Sequence, residues 1–192
     1  MARKVFSTDS ILDAARELVI ARGPRAATVA AIAEQAGVPV GSIYHRFGSV
    51  DELLARTWLR AARRSQEAAR ALELSPEGPL ATAQAVALAM YDYCISQPKD
   101  TLLLDALSRT ELLDRTRGEV HEELERANEG PEGRMAVLAR ALFGRADERS
   151  RDLVLLAIVD MPHGFAHRQI AGGRRTPARR ERLAAAVAAV LG

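Results

Sequence analysis

Three consecutive residues, Tyr44, His45 and Arg46, carry side chains that suit hydrogen bonding to nucleic acid. The Arg46 guanidinium can donate two parallel hydrogen bonds to a guanine edge in the major groove. Tyr44 adds a rigid ring and a hydroxyl group that can reach a phosphate, and Val40, four residues earlier, can touch a thymine methyl group. An exposed run of these three residue types suggests a surface that binds a ligand such as DNA. The alternative is a surface helix that binds nothing.

The residues around this face predict two short helices joined by a tight turn. Apolar residues of the first helix recur at positions i, i+3, i+4 and i+7, namely Val29, Ile32, Ala33 and Ala36. Thr28 can cap this helix, whose first-turn N–H groups suit a phosphate. Gly37 fits the left-handed residue after its end, and Pro39 fits the first turn of the second helix. The order helix, Gly-containing turn, short helix is the helix-turn-helix plan.

The run over residues 36–54, AGVPVGSIYHRFGSVDELL, resembles the Tet-repressor family of bacterial transcription regulators. The resemblance covers residues 7–60 and fixes several residue types in addition to the apolar period. It implies an all-α fold, with an N-terminal three-helix helix-turn-helix domain and a C-terminal helical ligand-binding and dimerisation domain. It also implies phosphate contacts through Ser42 and Tyr44. The remaining residues of the face would meet base edges, so the predicted DNA-binding set is Thr28, Val40, Gly41, Ser42, Tyr44, His45 and Arg46.

Two positions depart from the family pattern. Val50 stands where the family usually has a lysine that meets the DNA backbone, and Ala30 stands where a long polar residue often reads a base. Neither side chain can make those contacts, so we expect weaker DNA binding and base reading by few residues. Arg25 and Arg46 are the candidates to compensate.

Composition points away from catalysis and from secretion. The chain has 192 residues, with 27 basic and 25 acidic residues, and its formal charge of +2 creates no strong basic field. Cys94 is the only cysteine, so we expect a buried small side chain and neither a disulfide nor a cysteine metal cluster. His163 and His167 are four residues apart, but no Glu completes an H-E-x-x-H motif, so no metal is expected.

No phosphate loop, nucleophile elbow or dinucleotide glycine motif occurs in the sequence. We therefore expect no cofactor and no enzyme activity. The first ten residues lack the apolar run of a signal peptide, and the apolar run at residues 183–191 is too short to span a bilayer. The expected location is the cytoplasm, with no membrane partner.

The predicted domains are residues 1–49, with the helix-turn-helix, and residues 75–192, joined by a connecting helix over 50–74. Further helices are predicted at 79–96, 100–107, 110–127, 132–143, 148–171 and 177–190, and no stretch alternates like a strand. Pro162 should kink or split the helix that contains it. Residues 1–6 are either a mobile basic arm or a frayed terminus. The acidic residues expected to form a solvated face are Glu119, Glu122, Glu123 and Glu125.

Large and soft side chains in the C-terminal part form either a ligand cavity or an ordinary core, and the resemblance favours the cavity. The candidate ligand-binding residues are Trp58, Met90, Tyr91, Cys94, Leu104, Leu107, Phe143, Met161, His163 and Phe165. The helices near 148–171 and 177–190 form either a dimer interface or a monomer core, and the resemblance favours the interface. Its candidate residues are Val154, Ile158, Phe165, Leu183, Val187 and Leu191.

These features predict a homodimer that binds double-stranded operator DNA as an inverted repeat. We expect it to repress transcription until a small, mainly apolar effector enters the second domain. One alternative is a helical enzyme or ligand carrier whose N-terminal helices are only structural. Another is an interaction protein that kept the fold but lost DNA binding, which the valine at position 50 favours.

Overall fold

The computed structural model describes residues 7–70, 75–172 and 178–192, and every regular element in these ranges is helical. The all-α prediction is confirmed. The α-helices, in chain order, are α1 Thr8–Arg22, α2 Val29–Ala36, α3 Val40–Phe47, α4 Val50–Arg70, α5 Pro79–Ser96, α6 Pro98–Ala106, α7 Arg109–Arg115, α8 Gly118–Arg126, α9 Glu129–Phe143, α10 Glu148–Leu155, α11 Met161–Gly172 and α12 Ala178–Leu191. A 3₁₀ turn over Pro24–Ala26 connects α1 to α2. The predicted arm at residues 1–6 lies outside the described residues.

Two predicted helices are divided in the structure. The helix expected over 110–127 ends at Arg115, where the Thr116 hydroxyl donates to the Leu112 carbonyl at 2.7 Å and the Thr116 backbone becomes extended. The helix expected over 148–171 contains a π-helical turn, Leu156–Asp160, between α10 and α11. Pro162 follows this turn and has no N–H to donate to a preceding carbonyl, so the wider turn takes the place of the predicted kink.

The chain forms two compact units whose limits differ from the predicted domains. Of the described residues, 7–63 and 99–127 make up the first unit. The second unit contains the rest, 64–98 and 128–192, apart from the residues that are not described. Residues 99–127 were expected in the second domain, but Leu103 and Leu124 share the buried core of the helix-turn-helix. The predicted boundary at residue 49 missed this because the contact joins segments far apart in sequence.

The first unit combines an apolar core with a buried ion pair. Asp100 is only 2% exposed, and its carboxylate accepts a hydrogen bond from Arg16 Nη1 at 2.8 Å. Burial alone lowers the pKa of the Arg16 guanidinium, but the hydrogen bond and charge of Asp100, with Asp13 and Glu17 nearby, outweigh it and raise the pKa. The guanidinium therefore stays charged and fastens α1 to α6.

Basic residues of α4 extend this network instead of facing only solvent. Arg60 pairs with Asp13 of α1 at 2.6 Å. Arg56 pairs with both Glu119 and Glu123 of α8. The acidic face predicted on α8 is thus partly engaged, because the two carboxylates lie opposite arginines of α4.

The second unit packs α5 and α9–α12 with the end of α4 around its own core. The Tyr91 hydroxyl donates to Gln169 Oε1 inside this core, and both residues are buried. Cys94 is also buried, as expected for a small apolar side chain. None of the helices in the described ranges is long and apolar enough to cross a bilayer.

The buried ion pair gives a stability prediction. Replacing Asp100 by Ala leaves the largely buried Arg16 with only its more exposed carboxylates, so the free energy of unfolding should fall by about 1–3 kcal/mol. Lys99→Ala is the matched control, because Lys99 also joins α6 to α1, through Glu17 at 2.9 Å, but is well exposed. It should change the free energy by less than about 0.5 kcal/mol. Urea unfolding measures both, and equal effects would contradict a special role for the buried pair.

Candidate nucleic-acid interface

Helix α3 has one buried face and one exposed face. Ile43 and Phe47 are 0% and 2% exposed and belong to the core of the first unit. Between and before them, the polar side chains turn outward, and Tyr44 is 53% exposed while Val40 is 43% exposed. Of the predicted DNA-binding residues, the structure leaves six exposed, namely Thr28, Val40, Gly41, Tyr44, His45 and Arg46, and places Ser42 half-buried.

The turn before α3 fixes the direction in which this face points. Gly37 has φ +66°, and its N–H donates to the Glu34 carbonyl at 3.2 Å. The next N–H, of Val38, donates to the Ala33 carbonyl at 2.9 Å. These two bonds form a Schellman motif, which needs a left-handed residue that glycine adopts without strain. The predicted turn and its glycine are therefore present, and α3 starts three residues later.

Helix α2 presents its N-terminus beside this face. The Thr28 side chain caps the helix by accepting the Ala31 N–H at 3.2 Å, as predicted. The first-turn N–H groups carry the positive end of the helix dipole, which favours an anion such as a phosphate. Helix α4, which follows α3, is capped by a serine. Ser49 accepts the Glu52 N–H at 3.1 Å, whereas the Ser49 N–H donates to the Phe47 carbonyl.

The polar side chains of the exposed face have no partners within the described parts of the chain. Tyr44, His45 and Arg46 make no side-chain hydrogen bond or ion pair there. A tyrosine, a histidine and an arginine held outward together leave their hydrogen-bonding capacity to an external ligand. The arrangement therefore suits a polyanion with hydrogen-bonding edges.

The two departures from the family pattern have different surroundings. Val50 is partly buried and packs against the core of the first unit, so this position supports the start of α4. Ala30 is exposed on the first turn of α2. Neither side chain has a charge or a hydrogen-bonding group, so neither can make a polar contact to an external ligand.

The candidate ligand-binding residues do not all lie in one unit. Three of them belong to the first unit, namely Trp58, Leu104 and Leu107. The other seven lie in the second unit, in or against its core or half-buried beside it, namely Met90, Tyr91, Cys94, Phe143, Met161, His163 and Phe165. Packing of distant segments decides this division, and the sequence pattern gave no sign of it.

The candidate dimer residues are covered by their own chain. Five of them are buried in the core of the second unit, namely Val154, Ile158, Leu183, Val187 and Leu191, and Phe165 is half-buried. The exposed large apolar side chains of these helices are instead Leu155 and Leu156, at 37% and 41% exposure. The apolar period did not separate these two sets, because the helix predicted over 148–171 is apolar on both sides. Only packing shows which side the chain covers.

A family model matches residues 11–57, which include α1, α2, α3 and the start of α4. The description of this family is "Bacterial regulatory proteins, tetR family". The match includes all of the predicted DNA-binding residues. No curated protein matches the chain in sequence.

Solved structures share the fold of the whole chain. A TetR-like transcriptional regulator from Rhodococcus sp. RHA1 superposes with a TM-score of 0.70 at 18% identity, covering 98% of this chain and 96% of that one. The fatty acid degradation regulator FadR from Bacillus halodurans superposes with a TM-score of 0.70 at 18% identity, covering 100% of this chain and 97% of that one. The ketosteroid transcriptional regulator KstR2 of Mycobacterium tuberculosis superposes with a TM-score of 0.66 at 22% identity, covering 100% of this chain and 96% of that one. At these identities the likeness establishes the fold alone.

Substitutions at two neighbouring residues of α3 test whether the exposed face contributes to the stability of the fold. Ile43→Ala removes a fully buried side chain and should lower the free energy of unfolding by about 2–5 kcal/mol. Tyr44→Ala removes an exposed ring without intramolecular partners and should change it by less than about 0.5 kcal/mol. Chemical denaturation of both variants gives the comparison. A large loss for Tyr44→Ala would mean that the ring serves folding and is not reserved for a ligand.

Proposed function

Because residues 11–57 match the tetR family of bacterial regulatory proteins, we propose that this chain regulates transcription by binding operator DNA. The observation that carries the proposal is the exposed Tyr44, His45 and Arg46 on a helix whose opposite face is buried. Such a helix, following a tight turn, fits the major groove, which is wide enough to admit it.

Each part of the interface has a distinct task in this proposal. The N-terminus of α2 and the Tyr44 hydroxyl hold phosphates and thereby set the position of α3 on the duplex. Arg46 reads a base through two parallel hydrogen bonds, for which guanine offers adjacent acceptors. Val40 supplies an apolar contact. With alanine at position 30, base reading depends on these few α3 residues.

The alternatives predict different behaviour on DNA. A helical enzyme or ligand carrier has no need for an unpartnered Tyr-His-Arg face, and the matched family consists of regulators. An interaction protein derived from this fold would keep the face but not bind DNA. A gel shift with the DNA upstream of the protein's own coding region separates these possibilities, since only the regulator retards it.

We propose further that the chain is a repressor released by a small effector bound in the second unit. The core of that unit offers a largely apolar environment with a polar pair, Tyr91 and Gln169, which suits a mainly apolar ligand. An effector that weakens operator binding must itself bind less tightly to the operator complex, by the same factor. Operator titration with each compound found in a thermal-shift screen tests this coupling.

The proposed assembly is a two-fold dimer formed through the second unit. Five large apolar side chains are exposed among the described residues, and two of them, Val40 and Tyr44, belong to the DNA face. Leu155 and Leu156 lie next to each other around the start of the π-helical turn, so we place the centre of the interface there. A dimer would carry two α3 helices and match an inverted repeat with half-sites about 34–36 Å apart.

Arg46 gives the sharpest prediction for DNA binding. If it reads a base, Arg46→Ala should weaken operator binding by about 1–3 kcal/mol and relax the preference at a single base pair. Fluorescence anisotropy on operator variants substituted at each position measures both effects. A uniform loss on all sequences, with a smaller salt dependence, would instead assign Arg46 to a phosphate.

The control for this measurement is Arg63→Ala. Arg63 has the same charge and lies in the first unit, but it pairs with Glu123 of α8 and is not on α3. Operator affinity should stay nearly unchanged in this variant. If both variants lose the same affinity, the effect comes from net charge, and Arg46 has no specific place in the interface.

The dimer proposal predicts opposite results for an exposed and a buried residue. Leu156→Arg should give a folded monomer by light scattering, because a charge at the centre of the interface would be unpaired on association. Val187→Arg should unfold the chain, since Val187 is fully buried within its own unit. Circular dichroism distinguishes a folded monomer from an unfolded chain. A Leu156→Arg variant that remains dimeric would place the interface elsewhere.

A further inference from the structure

An open cleft of about 950 Å³ lies entirely within the first unit. Its walls come from the end of α1, the 3₁₀ turn, the starts of α2 and α4, the end of α6, and α7 with the segment before it. Thr28 and Tyr44, two of the predicted DNA-binding residues, also line it. We refer to this space as the first-unit cleft. Its volume falls within the range of small-molecule sites and is far larger than a single phosphate requires.

The lining combines buried apolar side chains with exposed basic ones. Val29, Leu54 and Leu107 are buried apolar residues of the lining. Arg22 and Arg25 are exposed lining residues, and neither has a carboxylate partner within the described ranges. The lining therefore offers apolar surface to the body of a ligand and guanidinium groups to a charged end.

The charges of the lining favour an anion. Three arginines face two acidic residues, and Arg115 is already paired with Glu111 at 3.7 Å. That leaves Arg22 and Arg25 against Asp51 alone. A guanidinium binds a carboxylate through two parallel hydrogen bonds, and the charge strengthens them. The complementary ligand therefore has a carboxylate at one end and an apolar body.

The departures from the family pattern lie at the same cleft. Ala30 and Val50, which replace longer polar residues, are both among its lining residues. Their short side chains leave space that longer ones would occupy. The change that removes two DNA contacts therefore also keeps the cleft open.

We propose that the first-unit cleft binds a small amphipathic carboxylate, and that this ligand and DNA exclude each other because both use Thr28 and Tyr44. The site is separate from the effector site proposed for the second unit. Ligand binding stands on the cleft alone, whereas the exclusion of DNA rests on the proposed DNA-binding function.

Titration of the full chain with 2-naphthoate, followed by calorimetry, tests the binding step. We expect saturable binding, and binding at least about tenfold weaker for the neutral analogue 2-naphthamide, which lacks the charge. The double variant Arg22→Ala, Arg25→Ala should bind 2-naphthoate more weakly than the unchanged chain by a similar factor. Arg46→Ala, which removes an exposed arginine outside the lining, should bind 2-naphthoate as the unchanged chain does.

A second variant fills the cleft without altering the DNA face. Ala106 lies at the end of α6, is exposed and lines the cleft. Ala106→Trp should abolish saturable 2-naphthoate binding while leaving the thermal midpoint nearly unchanged. If Ala106→Trp and the double arginine variant both bind 2-naphthoate as tightly as the unchanged chain, the ligand lies elsewhere and the proposal is overturned. A titration of the unchanged chain that shows no saturation with 2-naphthoate would also overturn the proposal. The arginines would instead be assigned to DNA if their loss reduced only the salt dependence of DNA binding.

Competition on operator DNA tests the exclusion step. 2-Naphthoate should weaken operator binding of the unchanged chain but not of Ala106→Trp. Operator affinity that is unaffected while the cleft is occupied would overturn mutual exclusion. If the chain binds no operator at all, the proposed function fails, whereas the calorimetric results still decide whether the cleft holds a carboxylate.

Discussion

Burial of Ile43 and Phe47 in the core of the first unit is the constraint on which the rest of the interface depends. With these two side chains inside, the residues between them can only face outward, and α3 presents Tyr44, His45 and Arg46 together. The Schellman motif at Gly37 sets the entry of α3 into this packing. Core packing thus produces this exposed face, because its side chains of Tyr44, His45 and Arg46 have no hydrogen-bond or ion-pair partners in the described parts of the chain.

The same core is completed by a segment far along the chain. Residues 99–127 bring Leu103 and Leu124 into it, and the pair between Arg16 and Asp100 fastens α6 to α1. Breaking this pair is costly because the Asp100 carboxylate lies in a poorly solvated site. Attachment of this segment also creates the first-unit cleft, whose wall includes the end of α6 and the start of α7.

The proposed DNA binding has to be achieved by a chain with little net charge. A formal charge of +2 gives weak long-range attraction, so affinity must come from local contacts that fit the groove. In the proposed function, the alanine at position 30 and the valine at position 50 leave more of these contacts to α3.

The sequence alone determined the helices and turn of the DNA-binding region and the residues it exposes, because period, caps and a left-handed glycine act over a few residues. It also predicted the all-α class. Only the tertiary structure decided that 99–127 join the first unit, that the apolar residues predicted at the dimer interface are core, and that Glu119 and Glu123 meet Arg56. The physical reason is that apolar period marks which residues are buried but not what buries them. Pairing between distant charges leaves no local pattern either.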